Sequence, residues 1–214
     1  MTAAKTLPSP QRLRSKKLRS NLLGLHHGRT YFTMGLVQNQ GFDIRPIREE
    51  DYPQVREIYE MGLRSGNASY ETRGLTWDEF SRRKIIETVF VAVDKQDDAR
   101  VLGWVAAAPA SSRSVFHGVV EDSIYTHPDA RGKGVSGALL DKLIATCIDL
   151  HKWSIHAWIF PENEGSAGLH LSRGFEKAGT FHNMGKMSYG EHKGQWRDCD
   201  IYELLLPMSK DDSN

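Results

Sequence analysis

The stretch Arg131-Gly132-Lys133-Gly134-Val135-Ser136-Gly137 falls between a β-rich run ending at Thr126 and a long segment of helical periodicity. Its three glycines let the backbone turn tightly and come close to a ligand. The first N–H groups of the following helix have no partner within that helix, and its dipole favours negative charge there. Arg131 and Lys133 add positive charge. Together these features predict a phosphate cradle rather than a plain flexible loop.

The surrounding residues narrow the ligand. Gly132, Gly134 and Gly137 match the dinucleotide fingerprint in spacing, but that motif needs an acid about 20 residues on, to hold a ribose. Ser154-Ile155-His156-Ala157-Trp158 supplies none. A Walker A loop needs four residues between its first Gly and its Gly-Lys pair. A nucleotide-binding oxidoreductase is therefore disfavoured.

Upstream of the loop, Val115 to Thr126 reads as a strand and His127-Pro128-Asp129-Ala130 breaks it. Before that, Phe90–Asp94 and Arg100–Ala107 read as a hairpin around Gln96-Asp97-Asp98. Phe42–Ile47 reads as a first strand. A helix from about Glu49 to Ser65 follows, with Val55, Ile58 and Tyr59 at helical spacing. Thr76-Trp77-Asp78-Glu79 reads as a capping box opening a second helix that ends near Thr88.

Downstream, Gly132 to His151 reads as a long helix with Leu139, Leu140, Leu143 and Ile144 on its apolar side. Ser154–Phe160 is a strand, and Asn163 to Arg173 a short helix stopped by Gly174. Phe175–His182 and Asp200–Leu206 complete the strands. The order argues an α/β sheet of mixed direction over residues 41–208, with 209–214 a polar tail.

The chain has 214 residues, 28 basic and 27 acidic, a formal net charge of +1. That balance hides an asymmetry. Residues 1–40 carry seven bases and no acid; the other 174 residues hold 21 bases and all 27 acids, a net −6. The acidic body argues against a nucleic-acid partner, and no apolar run is long enough to span a membrane. In the basic leader, Leu18, Leu22 and Leu25 would share one helix face. Three readings stay open: an organelle transit peptide, a disordered basic tail, or a start at Met34. All three place the leader outside the fold. They leave a cytoplasmic location, or a mitochondrial one if the leader is a transit peptide. The two cysteines, Cys147 and Cys199, have no metal-site spacing and fit a reducing compartment. Cys147 lies in an apolar helical stretch and reads as a small buried hydrophobe.

The pattern Arg-x-x-Gly-x-Gly/Ala after a strand resembles the pyrophosphate-binding signature of the GNAT N-acetyltransferase superfamily. Here it is matched by Arg131 and Gly134, with Ser136 at the last site. Residues 42–206 resemble its phosphinothricin and methionine sulfone acetyltransferase branch in four further places: Ser69 to Arg73, Val120 to Pro128, Pro161 to Phe175, and Gly194 to Asp198. The resemblance implies the GNAT fold, a mixed and mostly antiparallel sheet flanked by helices, with splayed strands binding acetyl-CoA. It implies direct transfer of the acetyl group to the amine of a small amino-acid-like acceptor, without a metal, and a homodimer. Another amine (a polyamine, an aryl amine or a protein N-terminus) stays open, as does a non-catalytic acyl-CoA-binding module.

For acetyl-CoA the resemblance implies contacts from Ile124, Tyr125 and Thr126 through their backbone, from residues Arg131, Gly132, Lys133, Gly134, Val135, Ser136 and Gly137, and from Asn163 and Ser166. The chemistry needs a base, because an α-ammonium is mostly protonated at neutral pH. Glu121, in an otherwise apolar strand, suits that task, since apolar surroundings raise a carboxyl pKa. His170 is the second candidate, as base or acid. It shares a helix face with Asn163 and Ser166, about 10 Å along the axis from Asn163. Arg113 is expected to clamp an acceptor carboxylate in bidentate fashion. Ser114 and Phe116 are expected beside it, with Tyr70 and Arg73 approaching from the first helices.

Overall fold

A computed structural model describes residues 22–26, 29–32 and 41–207. The chain forms two compact units, Met1–Val37 and Gln38–Asn214. In the first, strands β1 (Leu22–His26) and β2 (Arg29–Phe32) pair antiparallel, with Leu22 opposite Phe32. Leu22 and Leu25 thus lie in a strand rather than on a helix face. Gly24 weakens a helix at that point, and Thr30-Tyr31-Phe32 favours extended backbone. Leu18 lies outside the described residues, as do 208–214.

The second unit is a seven-stranded sheet in the order β3-β4-β5-β6-β7-β9-β8. The strands are β3 (Phe42–Pro46), β4 (Phe90–Asp94), β5 (Asp97–Pro109), β6 (Val119–Thr126), β7 (Ser154–Ile159), β8 (Glu176–Lys186) and β9 (Trp196–Leu205). Every neighbouring pair is antiparallel except β6 and β7. The expected mixed, mostly antiparallel sheet is what forms.

Helices α1 (Tyr52–Arg64) and α2 (Trp77–Arg83) flank the unit with α3 (Val135–Asp149) and α4 (Glu164–Leu171). In α1 the spacing of Val55 and Ile58 buries both. They join Tyr52, Phe80, Val91 and Trp104 in one apolar cluster. In α3, Leu139, Leu140, Leu143 and Cys147 have no exposed surface and pack with Val105, Val120 and Ile155 in another. Truncating one of these leucines to Ala costs about 2–5 kcal/mol, by lost transfer energy and the cavity left behind.

The expected capping box at the start of α2 forms: Thr76 Oγ1 accepts from Glu79 N at 3.2 Å, and Thr76 N donates to Glu79 Oε2 at 2.8 Å. The helix stops at Arg83, short of Thr88. Ile85 N donates to Ala107 O at the sheet margin, 2.9 Å away. That bond draws Lys84 into extended backbone (φ −99°, ψ 150°). The hairpin turn falls at Lys95-Gln96, one residue earlier than expected, and β5 begins at Asp97. Val115 and Phe116, expected as the start of the strand, lie in a 3-10 turn, Ser114–Phe116, so β6 starts only at Val119. Helix α3 begins at Val135 because Gly132 (φ 73°) and Gly134 (φ 81°) take the left-handed conformation.

Strand β6 pairs with β7 only through Val119–Ser154, Val120–Ile155 and Glu121–His156. Beyond Glu121 the strands part: β6 runs on to Thr126 along β5, and β7 runs on to Ile159 along β9. The splay expected between these two strands therefore opens at Asp122.

Candidate active site

The splay leads into a cavity of about 1030 Å³. Three groups of residues meet on it. From the α3 end come Thr126, Arg131, Gly132 and Ser136; from the other wall, Asn163, Ser166 and His170; from the α1 and α2 side, Tyr59, Tyr70, Trp104 and Lys84. Residues Glu121 to Thr126 of β6 form its floor.

The α3 end has the makings of an anion site. Gly132 has nothing within 4 Å of where a Cβ would lie, leaving its backbone open to a ligand. Ser136 Oγ sits 2.7 Å from Thr126 Oγ1, tying the first turn of α3 to the end of β6. The first N–H groups of α3 are the unpaired donors of any helix start. The other expected residues here act differently. The Val135 side chain is buried in the core, so only its backbone is available. Gly137 is small because Arg173 lies against it: an added Cβ would stand 2.0 Å from Nη2. Lys133, Gly134, Val135 and Gly137 do not line the cavity.

Tyr125 contributes backbone to the cavity while its ring serves the core. It stacks on Trp104 at 5.0 Å, and its hydroxyl donates to Ala68 O at 3.1 Å. The Trp104 indole N–H, also buried, has no acceptor among the described residues.

Strand periodicity sends alternate β6 side chains to opposite faces. Val120 and Ile124 pack with the α3 cluster, Tyr125 with the α1 cluster. Asp122 therefore lies on the α3 side, and Glu121 and Ser123 on the α1 side.

On the first face, Asp122 Oδ2 is 3.1 Å from His170 Nε2, and His170 Nδ1 is 2.7 Å from Ser166 O. A carbonyl only accepts, so Nδ1 must donate to it. The ionised carboxylate also only accepts, so Nε2 must donate as well. The ring that satisfies both is the imidazolium. Burial disfavours its charge, but the Asp122 carboxylate and the Ser166 carbonyl outweigh burial and hold the pKa above the ordinary range. His170 is 1% exposed, with both nitrogens engaged.

On the second face, burial pushes the Glu121 carboxyl up, and the charge of Lys84 only partly offsets this. Among the described residues the Glu121 side chain makes no hydrogen bond or ion pair. Lys84 Nζ donates to Ser123 Oγ at 2.8 Å. Its own pKa is lowered by burial, against the pull of Glu121 and Asp122.

Asn163 caps α4, accepting from Ser166 N at 3.1 Å, and its Nδ2 donates to Asn67 O at 3.0 Å. Tyr70 packs edge-on to Phe160 at 4.7 Å, and its hydroxyl donates to Arg197 O at 3.2 Å. Both line the cavity. Arg73 does not; its exposed guanidinium is held by both oxygens of Glu79 at 3.0 Å. Arg113, Ser114 and Phe116 are also outside the cavity, exposed on the 3-10 turn, with the Arg113 guanidinium 5.6 Å from the Phe116 ring centre. The expected carboxylate clamp thus stands away from the floor that carries Glu121.

Two residues on the cavity wall, Lys84 and Asp122, and one that braces its margin, Arg197, are not singled out by the sequence. Lys84 has no local pattern that separates it from Arg82 and Arg83. Asp122 lies inside the Val120 to Pro128 motif, where nothing local marks it out. Arg197 lies inside the Gly194 to Asp198 motif and is buried. It donates to Gly66 O, Asn67 Oδ1 and Glu162 Oε2 at 2.7–2.8 Å and lies over the Phe160 ring at 3.9 Å. It pins the segment around Asn67 to the end of β7.

An open, mostly antiparallel sheet splayed beside a glycine-rich helix start is the architecture of an acyltransferase. The profile of the Acetyltransferase (GNAT) family matches residues 43–175, and the chain belongs to that family. It is 32% identical over 166 residues to a phosphinothricin N-acetyltransferase of Alcaligenes faecalis, covering 76% of this chain and 82% of that protein. It is 34% identical over 176 residues to an L-methionine sulfoximine/L-methionine sulfone acetyltransferase of Pseudomonas aeruginosa, covering 78% and 96%. Among solved structures, a phosphinothricin acetyltransferase from Sinorhizobium meliloti in complex with AcCoA superposes with a TM-score of 0.68 at 28% identity, covering 79% and 94%. Among the described residues no cluster of His, Cys, Asp and Glu could hold a metal ion, and no helix is long and apolar enough to cross a membrane.

Proposed function

We propose that the chain transfers the acetyl group of acetyl-CoA to the primary amine of a small amino-acid-like acceptor, of the phosphinothricin, methionine sulfoximine or methionine sulfone type. The observation that carries the reading is Glu121: a half-buried carboxylate, unbonded among the described residues, where the splay closes on the floor of the cavity. Such a group can take a proton from a bound ammonium and is poised nearer neutral pH than an exposed glutamate.

The residues present fit acetyl-CoA. Its diphosphate suits Arg131, Gly132 and the open N–H groups of α3. Its pantetheine arm suits the gap between β6 and β7. The β6 edge from Ile124 to Thr126, which β7 leaves unpaired, offers backbone donors to the acetyl carbonyl and to the charge that develops on it. Acetyl-CoA supplies an activated thioester. Glu121 accepts one proton from the acceptor ammonium. The amine nitrogen then bonds to the acetyl carbon as the C–S bond breaks, and the second proton of nitrogen ends on sulfur. Proton balance therefore needs one protein base. Glu121 takes that part, and His170, fixed between Asp122 and Ser166, orders the wall opposite.

We assign a cytoplasmic enzyme that works as a homodimer. Supporting a second copy are the large exposed rings on β7, β8 and β9: Trp158, Phe181 and Trp196, with Trp158 and Phe181 5.7 Å apart. Sedimentation at several concentrations checks this, and a strictly monomeric chain overturns it.

The reaction itself is tested by thiol release from acetyl-CoA across a panel of amino-acid analogues, polyamines, aryl amines and N-terminal peptides. Turnover of methionine sulfone or phosphinothricin above the other classes is expected. Turnover confined to polyamines or peptides would replace the acceptor class, and tight acetyl-CoA binding with no turnover at all would make this a binding module.

A further inference from the structure

The acceptor side of the cavity presents two opposite charges on one sheet face. Glu121 and Ser123 are two residues apart on β6, so their side chains rise from the same face about 7 Å apart. Lys84 arrives from the end of α2 and places its Nζ on Ser123 Oγ at 2.8 Å. The two charges stand close enough to feel each other, yet no N···O contact within 4 Å joins them. An ammonium has three donors, and Lys84 uses one among the described residues. The Glu121 carboxylate uses none of its acceptor sites.

Burying a charge without pairing it is costly, and here two opposite charges are half-withdrawn from water without closing on each other. An α-amino acid is their complement: its ammonium suits Glu121, and its carboxylate, one carbon away, suits Lys84. Arg131, the basic residue at the other end of the cavity, belongs to the α3 anion site. Arg56 is engaged with Glu60 at 2.9 Å. Arg83, exposed and adjacent, makes no hydrogen bond or ion pair with the floor among the described residues. Arg113 lies outside the cavity altogether.

We propose that Lys84 is the specificity-determining anchor for the acceptor carboxylate, holding an α-amino acid with its amine over Glu121. The proposal rests on the acyl-transfer reading for its biological sense, but its test does not need turnover.

The experiment compares L-methionine sulfone with 3-(methylsulfonyl)propylamine, the same molecule without its carboxylate. Equilibrium binding to the full chain is measured by calorimetry, with CoA present, for wild type, Lys84→Met and Lys84→Gln. Wild type should prefer the amino acid by about 10- to 100-fold, the usual worth of a hydrogen bond to a charged group. In both variants that preference should collapse toward unity while CoA affinity stays within about twofold, showing that the fold is intact. Wild type without preference for the acid, or variants that keep the preference, would overturn the anchor. If wild type binds with the expected preference but releases no thiol from acetyl-CoA, the anchor stands and the acyl-transfer reading fails.

Discussion

The two faces of β6 handle buried charge in opposite ways. On the α3 face, Asp122 and His170 meet at 3.1 Å, and the ring spends its other nitrogen on Ser166. On the α1 face, Glu121 and Lys84 influence each other without touching. A closed pair has no capacity left for a ligand and contributes order; an open pair contributes no order and keeps its capacity. One strand, by its alternation, separates scaffold from chemistry at neighbouring residues.

The largest test of that contrast is His170→Ala. It strands the buried Asp122 carboxylate and should destabilise the chain by about 3–5 kcal/mol, read as a loss of Tm. A variant of unchanged stability would dissolve the distinction between the faces. Glu121→Gln should do the reverse, leaving Tm intact while kcat falls by about 10²-fold or more; near-normal turnover would remove Glu121 as base. Lys84→Met removes the cation that lowers the Glu121 pKa, so the acid limb of the kcat/KM profile should move to higher pH. A limb that stays put or moves down would show that the two charges are uncoupled.

The α3 face carries its own pH signature. His170 binds its proton more tightly folded than unfolded. Its contribution to stability is therefore complete below the unfolded value of about 6.5 and fades as pH rises through the higher folded value. Thermal melts from pH 6 upward should lose this increment in wild type and show none of that loss in His170→Gln. The smallest effect is expected at Arg113. Among the described residues its exposed guanidinium meets only the Phe116 ring, so Arg113→Ala should change KM for either substrate by less than about twofold. A large rise for carboxylate-bearing amines alone would return the clamp to that residue.

The local chemistry of the chain made much of this fold legible. The capping box at Thr76 to Glu79, the glycines at 132 and 134 and the leucines of α3 each act within a few residues, and each took its expected place. The sheet order and the opening after Glu121 were available only through resemblance, because strand pairing joins residues far apart in sequence. The errors share a cause. Val115 and Phe116 look like strand residues, but the segment ahead of Gly118 turns outward; a Cβ at Gly118 would collide with the Trp153 ring, 2.0 Å away. Lys84 falls inside the stretch expected as helix to Thr88, where it is one base among three with Arg82 and Arg83. What moved it was the pairing of Ile85 with Ala107, a tertiary event that no window around residue 84 contains. The raised pKa of His170 likewise depends on Asp122, 48 positions away, so spacing alone could name the residue and not its proton affinity.

Only three residue pairs join β6 to β7, so the sheet is two half-sheets, four strands and three, meeting at a short seam. The amides of that seam and of the free β6 edge should be the first in the sheet to trade hydrogen for deuterium. A ligand lying in the gap would slow that exchange on both sides at once, and so act as the missing rungs of the ladder.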